Sequence, residues 1–133
     1  MDYKNSEGYA DPTPYQAISN ISKKRYRPLV YICSPYSGDV DGNTIKAKAY
    51  SRFAVDSGYI PFAPHLLLPQ YMDERTERDL AMFMDIVFLG HCSEIWVFGD
   101  ISEGMAREIA RAEKQKKRIR YFTDEMKECA ECK

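Results

Sequence analysis

The sequence lacks long hydrophobic runs and any excess of one charge. No apolar stretch approaches the ~18 consecutive residues of a membrane span. The chain has 19 basic and 20 acidic side chains, for a formal net charge of −1. We therefore expect no membrane segment and no nucleic-acid polymer as partner. The first residues also lack a basic start followed by an apolar block, so no secretory signal is predicted and a cytoplasmic location is expected.

Metal-ligating residues are few, with four cysteines and two histidines. Cys129 and Cys132 form a lone C-x-x-C motif, but a structural zinc site needs four ligands, usually from two such pairs. No metal site is predicted, and the motif is interpreted as part of a frayed tail. His65 and His91 lack the companions that a catalytic triad requires.

The length of 133 residues, 44% of them hydrophobic, predicts one globular domain with a core of its own. Residues 1–27 show no sustained periodicity and are interpreted as an extended or disordered arm. Its basic end, residues 23–27, is either a solvated lead-in or a phosphate-binding run. Residues 28–123 form the domain, and residues 124–133 form an acidic tail with a loose helical turn.

Strands and helices alternate within the domain. Strands are predicted at 29–33, 59–63, 94–98 and 118–122. Helices are predicted from an Asp41 or Asn43 cap to residue 57, over 73–90, and over 103–117 after a Ser102 cap. The inward-facing side chains are predicted to be Ile45, Ala49 and Phe53 on the first helix, and Leu80, Phe83, Met84 and Val87 on the second.

This alternation predicts an α/β fold, with a flavodoxin-like (Rossmann-like) parallel sheet and helices on both faces. Pro61 cannot donate to a strand ladder, so the second strand is expected at an edge, and the half-exposed fourth strand at the other. The predicted strand order is 2-1-3-4. A ligand crevice is then expected outside the carboxyl ends of strands one and three, between the loops 34–42, 99–104 and 64–72.

The segment from Ser102 to Glu108 carries the first candidate site residues. Ser102 stands at a helix N-terminus, which favours an anion such as phosphate. Gly104 and Glu108 share one helical face, and the missing side chain at Gly104 leaves room for a ligand to reach the Glu108 carboxylate. The alternative is an ordinary cap followed by a surface glutamate that pairs with Arg107 or Arg111.

The first loop offers the hydroxyls of Ser34 and Ser37 and a flexible glycine, Gly38, directly after a buried strand. Such a loop can hold a phosphate or a sugar, or it can be a plain turn. Asp85 is an acid within an apolar segment, so it faces either water or the crevice, with a perturbed pKa in the second case. His65 is either structural or part of the site.

Two carboxylates at one crevice suit glycosidic-bond chemistry, in which one attacks the anomeric carbon and the other handles a proton or orients the sugar. The segments 31–38 (YICSPYSG) and 102–108 (SEGMARE), with Asp85, resemble the nucleoside 2-deoxyribosyltransferase-like superfamily. This superfamily includes nucleoside deoxyribosyltransferases and 2′-deoxynucleoside 5′-phosphate N-hydrolases. The loop 64–70, PHLLLPQ, is similar to that of an uncharacterised branch of short members.

The resemblance implies roles for individual residues. The nucleophilic glutamate of the superfamily maps onto Glu108, its sugar-orienting acid onto Asp85, its aromatic first-loop residue onto Tyr36, and its phosphate-facing serine onto Ser102. A serine at that last position favours a phosphorylated substrate and water as acceptor. The glycine-rich first loop of the superfamily is only partly matched. A homo-oligomer, a dimer or higher, is implied as well.

The resulting hypothesis is an N-glycosidase or deoxyribosyltransferase acting on a small nucleotide or nucleoside, without a cofactor. Tyr36 would orient Glu108 or the sugar, and the serines with Gly38 would hold the 5′-phosphate. The alternative is a non-catalytic nucleotide-binding or sensing module that uses the same crevice. A response-regulator-like protein is disfavoured because no phospho-acceptor aspartate ends the first strand.

Overall fold

The computed structural model of the protein describes residues 26–129. They form a five-stranded, mostly parallel sheet in the order β2-β1-β3-β4-β5. In chain order the elements are β1 (Leu29–Cys33), α1 (Val40–Asp56), β2 (Ile60–Phe62), α2 (Pro64–Leu67), a 3-10 turn (Leu68–Gln70), α3 (Arg78–His91), β3 (Glu94–Phe98), α4 (Glu103–Lys114), β4 (Arg118–Phe122) and β5 (Glu128–Cys129). The predicted α/β class and the order 2-1-3-4 of the parallel strands are confirmed. No helix in this part of the chain is long and apolar enough to cross a bilayer.

The far edge of the sheet differs from the prediction. β5 pairs antiparallel with the end of β4, so the loose helical turn expected after the fourth strand is wrong, and β4 is not a free edge. Arg120 donates two hydrogen bonds to Glu128, at 2.7 and 2.8 Å, and these fasten the added strand to its neighbour. The arm up to residue 25 and Cys132 lie outside the described residues.

Alternate residues of β1 face two different cores, as the period of two of a strand requires. Val30 and Ile32 pack with α1 and with an aromatic group formed by Phe53, Trp96, Phe98 and Phe122. Tyr31 and Cys33 pack on the opposite face with apolar residues of α3 and α4, namely Leu89, Met105, Ile109 and Ala112. The second face is the one that carries the site described below.

Of the three residues predicted to face inward on α1, only Phe53 packs against the core. Ile45 is 67% exposed and Ala49 is also exposed, whereas Ala47, Tyr50 and Ala54 are buried. The helix begins earlier than predicted, because Asp39 caps it by accepting a hydrogen bond from Gly42 N at 3.1 Å. A Cβ at position 42 would lie 2.2 Å from an oxygen of Asp39, so this cap requires glycine.

The predicted inner stripe of α3 is also wrong, and the helix begins at Arg78 rather than near residue 73. Leu80, Phe83 and Val87 are between 45% and 63% exposed. The opposite side faces inward, where Leu89 is buried and Phe88 packs on Phe62 with ring centroids 4.2 Å apart. The segment is apolar almost all round, so periodicity could not select a face. The predicted loop 64–72 contains α2 and the 3-10 turn instead, since a proline in the first turn favours a helix start.

The corrected face of α1 leads to a stability prediction. Tyr50 is 2% exposed and stacks on Phe98 at a centroid distance of 4.1 Å. Tyr50→Ala should lower the free energy of unfolding by about 3 kcal/mol, because it leaves a cavity in the aromatic core. Ile45→Ala, the matched control on the exposed side, should change it by less than ~0.5 kcal/mol. Urea denaturation measures both, and a larger loss for Ile45→Ala would contradict the described packing.

Candidate active site

A cavity of about 410 Å³ lies where the segments that follow β1, β2 and β3 meet the inner side of α3. Eight of the nine site residues expected from the sequence line it: Ser34, Tyr36, Ser37, His65, Asp85, Ser102, Gly104 and Glu108. Gly38 does not line the cavity. Its φ of +92° serves the turn between β1 and α1 instead.

The carboxylate of Glu108 faces β1, not bulk solvent. The Tyr31 hydroxyl donates a hydrogen bond to Oε2, and the Cys33 Sγ lies 3.5 Å from Oε1. Arg107 pairs with Glu103 at 2.9 Å instead, so the alternative of a surface glutamate paired with Arg107 is wrong. Burial raises the pKa of Glu108 to about 7, and the hydrogen bonds from Tyr31 and Cys33 oppose this rise. The side chain therefore titrates near neutral pH.

Asp85 projects from α3 into the same cavity. Its Oδ1 atom is buried and has no hydrogen-bond partner among residues 26–129. Burial, together with the smaller effect of the nearby Glu108 charge, raises the pKa of Asp85 to about 7. Two acids that interact in this way titrate as a pair, so their protonation states depend on each other.

The N-terminus of α4 forms one wall of the cavity. Ser102 caps the helix, and its Oγ accepts a hydrogen bond from Met105 N at 3.3 Å. The hydroxyl keeps its own proton for a ligand. A Cβ at Gly104 would meet no atom within 4 Å, so the missing side chain leaves open space at the cavity wall. This end of the helix can therefore accept an anion.

The first loop and α2 are joined across the cavity mouth. Asn43, expected as a helix cap, instead donates from its amide to the carbonyls of Tyr36 and Ser37, at 3.0 and 3.2 Å. The rings of Tyr36 and His65 stack at a centroid distance of 4.8 Å. Burial lowers the pKa of His65 to about 4, and a hydrogen bond to the backbone of Ser34 opposes this shift. His65 is therefore neutral at physiological pH and supplies no positive charge.

Ser34 adds an unused hydroxyl to this loop. The residue is 2% exposed, lines the cavity, and its Oγ has no hydrogen-bond partner in the described part of the chain. A buried polar atom without a partner is unfavourable unless a water or a ligand satisfies it. The Ser34 Oγ is therefore the buried polar atom of this loop that is best placed to contact a ligand.

Sequence reasoning missed the residues that hold Glu108. Tyr31 and Cys33 were assigned only to a buried strand, although a buried tyrosine hydroxyl generally needs a polar partner. That need, together with the period of two that puts both residues on one face, was the available signal. Charged residues at the rim, Glu74 and Arg78, were also missed, as were apolar wall residues from the segment after β2 and from α3, namely Leu68, Met72, Met82 and Ile86.

The arrangement is suited to chemistry by carboxylates. Within residues 26–129, no group of three or more His, Cys, Asp or Glu side chains is placed to hold a metal ion. The cavity instead combines two protonatable acids, a helix N-terminus and an apolar wall. These features can bind a ligand that has an anionic group and an apolar part.

Comparison with known proteins gives a family and a fold. The family model described as "Domain of unknown function (DUF7768)" matches residues 28–122. None of the curated proteins compared with the chain matches it. A solved structure, of a 2-deoxyribosyltransferase from the psychrotolerant bacterium Bacillus psychrosaccharolyticus, is similar with a TM-score of 0.56. The two sequences are 19% identical, and the match covers 71% of this chain and 72% of that one, which supports a shared fold.

The raised pKa of Glu108 predicts a pH-dependent cost in stability. The folded state favours the neutral carboxyl, so the native protein binds more protons than the unfolded chain between about pH 4.5 and 7. Stability is therefore lost as the pH rises through about 7. Between pH 5 and pH 9, the free energy of unfolding should fall by on the order of 2–3 kcal/mol more in wild type than in Glu108→Gln, at 1.36 kcal/mol per pKa unit.

Urea denaturation at the two pH values measures this difference. Glu113→Gln is the matched control, since Glu113 lies on the exposed side of the same helix. It should keep the wild-type pH dependence. Equal pH dependence in wild type and Glu108→Gln would show that the Glu108 carboxylate is solvated in the folded protein.

Proposed function

We propose a function for this chain, which belongs to the family described as "Domain of unknown function (DUF7768)". The proposed reaction cleaves or transfers the N-glycosidic bond of a (deoxy)nucleoside 5′-monophosphate. The observation that carries this proposal is the buried Glu108 carboxylate, held on β1 and facing a cavity that a second acid, Asp85, also lines. The fold shared with a 2-deoxyribosyltransferase supports it.

The proposed reaction has two displacement steps. In the first, a carboxylate oxygen of Glu108 attacks C1′ of the sugar, the C1′–N bond breaks, and its electron pair leaves with the base, which takes up a proton. In the second, water or an acceptor base attacks C1′ and releases Glu108. This is the logic of a retaining glycosidase, in which a covalent intermediate replaces one difficult step by two easier ones.

Asp85 and Tyr36 complete the proposed chemistry. With a pKa of about 7, Asp85 exists in both protonation states at neutral pH and can exchange a proton with the base or the incoming water, or accept a sugar hydroxyl. Burial raises the pKa of Glu108 to about 7 as well, so its carboxylate form, the nucleophile, is accessible near neutral pH. Tyr31, not Tyr36, donates a hydrogen bond to Glu108. We therefore assign Tyr36, whose ring stacks on His65, to orienting the sugar.

The phosphate is placed at the polar end of the cavity. Ser34, Ser37 and Ser102 offer hydroxyls there, and the free N–H groups at the start of α4 favour an anion. The side chain of Arg107 also lines the cavity and is 53% exposed, so it can turn from Glu103 to a phosphate. The apolar side chains of Leu68, Met72 and Ile86 then face the base. The homo-oligomer and the cytoplasmic location expected from the sequence remain part of the proposal.

Release of free base from a panel of nucleoside monophosphates tests the reaction directly. Wild type should release base, and Glu108→Gln should lose about a thousandfold or more in kcat while it still binds the nucleotide, because the amide is not a nucleophile. Glu113→Gln, remote from the cavity, should retain full activity. Nucleotide binding without base release, with equal affinity in Glu108→Gln, would instead indicate a non-catalytic binding module.

The proposed phosphate site predicts that the protein prefers a nucleoside monophosphate to the matching nucleoside, and single variants in the site should reduce this preference. Ser34→Ala should raise KM for the monophosphate about tenfold, the loss expected for one hydrogen bond to a charged group, with little change for the matching nucleoside. Ser51→Ala is the control, because Ser51 lies on α1 and its hydroxyl bonds only to the carbonyl of Ala47 in the described chain. Equal losses for nucleotide and nucleoside would place the phosphate elsewhere.

A further inference from the structure

We propose that Cys33 is a positioning residue for Glu108, with a thiol that donates a weak hydrogen bond to Oε1 and so orients the carboxylate without strongly neutralising it. The inference rests on the proposed function for its catalytic meaning. The contact itself is a property of the folded chain and can be tested without any substrate.

The two oxygens of the carboxylate have different donors. The Tyr31 hydroxyl donates to Oε2, and the Cys33 Sγ lies 3.5 Å from Oε1. Tyr31 and Cys33 are two residues apart on β1, so the pleat turns both side chains toward α4. The strand thus fixes both ends of the carboxylate, and the residue at position 33 decides how strongly Oε1 is bound.

A thiol suits this position because it is a weak donor. A strong donor would stabilise the carboxylate anion and make it a poorer nucleophile, whereas no donor would leave the side chain free to rotate. Cys33 is fully buried, and burial raises its pKa well above the usual value, so the sulfur keeps its proton. The thiol is therefore a permanent donor at any pH at which the enzyme works.

The thiol has a second acceptor within reach, the carbonyl of Met105 at 4.0 Å. One proton serves one acceptor well at a time, so an ionised Glu108 should draw the S–H toward Oε1. A protonated or esterified Glu108 should leave it to Met105. The other titratable groups that face this pair are Tyr31 from β1, Asp85 from α3 and Tyr121 from β4.

The S–H stretching band in the infrared tests the contact, because its frequency falls as the hydrogen bond strengthens. The Cys33 band, identified as the one missing in Cys33→Ala, should move to lower frequency between pH 5 and pH 9. Its midpoint should match the Glu108 titration seen by carboxyl ¹³C NMR. In Glu108→Gln the band should not move with pH. The band removed by Cys92→Ala is the matched control, since Cys92 is also buried but lies beside Lys117.

Two variants test the effect on the carboxylate. Cys33→Ala should raise the Glu108 pKa measured by NMR, and Cys33→Ser, a stronger donor, should lower it. The midpoint of the kcat–pH profile should move in the same directions. At the pH optimum, kcat of Cys33→Ala should fall about three- to tenfold, the worth of one weak charge-assisted hydrogen bond, with KM within about twofold.

If Cys33 only filled space, Cys33→Ala and Cys33→Ser would not shift the Glu108 pKa and the midpoint of the kcat–pH profile in opposite directions. The proposal is overturned if the Cys33 band is insensitive to Glu108, or if both variants shift the Glu108 pKa the same way. If wild type releases no base, the reaction proposed above fails. The infrared and NMR measurements still decide whether Cys33 positions Glu108.

Discussion

The candidate site depends on one desolvated carboxylate placed between a helix and a strand. Glu108 on α4 lies against Tyr31 and Cys33 of β1, and burial alone shifts its pKa toward neutrality. Glu103 lies on the same helix but pairs with Arg107 at the surface, with 86% of its side chain exposed. Glu103 lies in the first turn of the helix and faces the surface, whereas Glu108 lies in the middle of the helix and faces the sheet. The sheet therefore decides which carboxylate becomes chemically unusual.

The two arginines that line the cavity are more exposed than its acid pair, Glu108 and Asp85. His65, which lines the same cavity as Glu108 and Asp85, is neutral because burial lowers its pKa to about 4. Arg78 and Arg107 stand toward the exposed rim. Cations placed deeper would stabilise both carboxylates and return their pKa values to the ordinary acidic range. The exposed rim carries charges of both signs, since Glu74 and Glu103 line the cavity as well as the two arginines.

The two faces of the sheet carry different tasks. The face toward α1 is filled by stacked aromatic rings, among them Tyr50, Phe98 and Phe122, and contributes packing energy. The other face, toward α3 and α4, carries Tyr31 and Cys33 among its apolar residues, and these two contact Glu108, which lines the cavity. β1 and β3, which support the site, are both central strands paired on each side. The aromatic core thus lies on the opposite face of the sheet from the two buried acids.

The sequence by itself determined the alternation of elements, the order of the four parallel strands and the segments from which the cavity is built. Short buried strands, helix caps and Pro61 are local signals, which can be recognised without knowing the tertiary contacts. It could not choose the inward faces of α1 and α3, since both helices carry apolar residues on more than one side. Nor could it foresee β5, whose two residues depend on the partner Arg120. Above all, only tertiary contact decided that Tyr31 and Cys33 hold Glu108. The two residues precede Glu108 by 77 and 75 positions in the sequence, and they meet it only when α4 packs on β1.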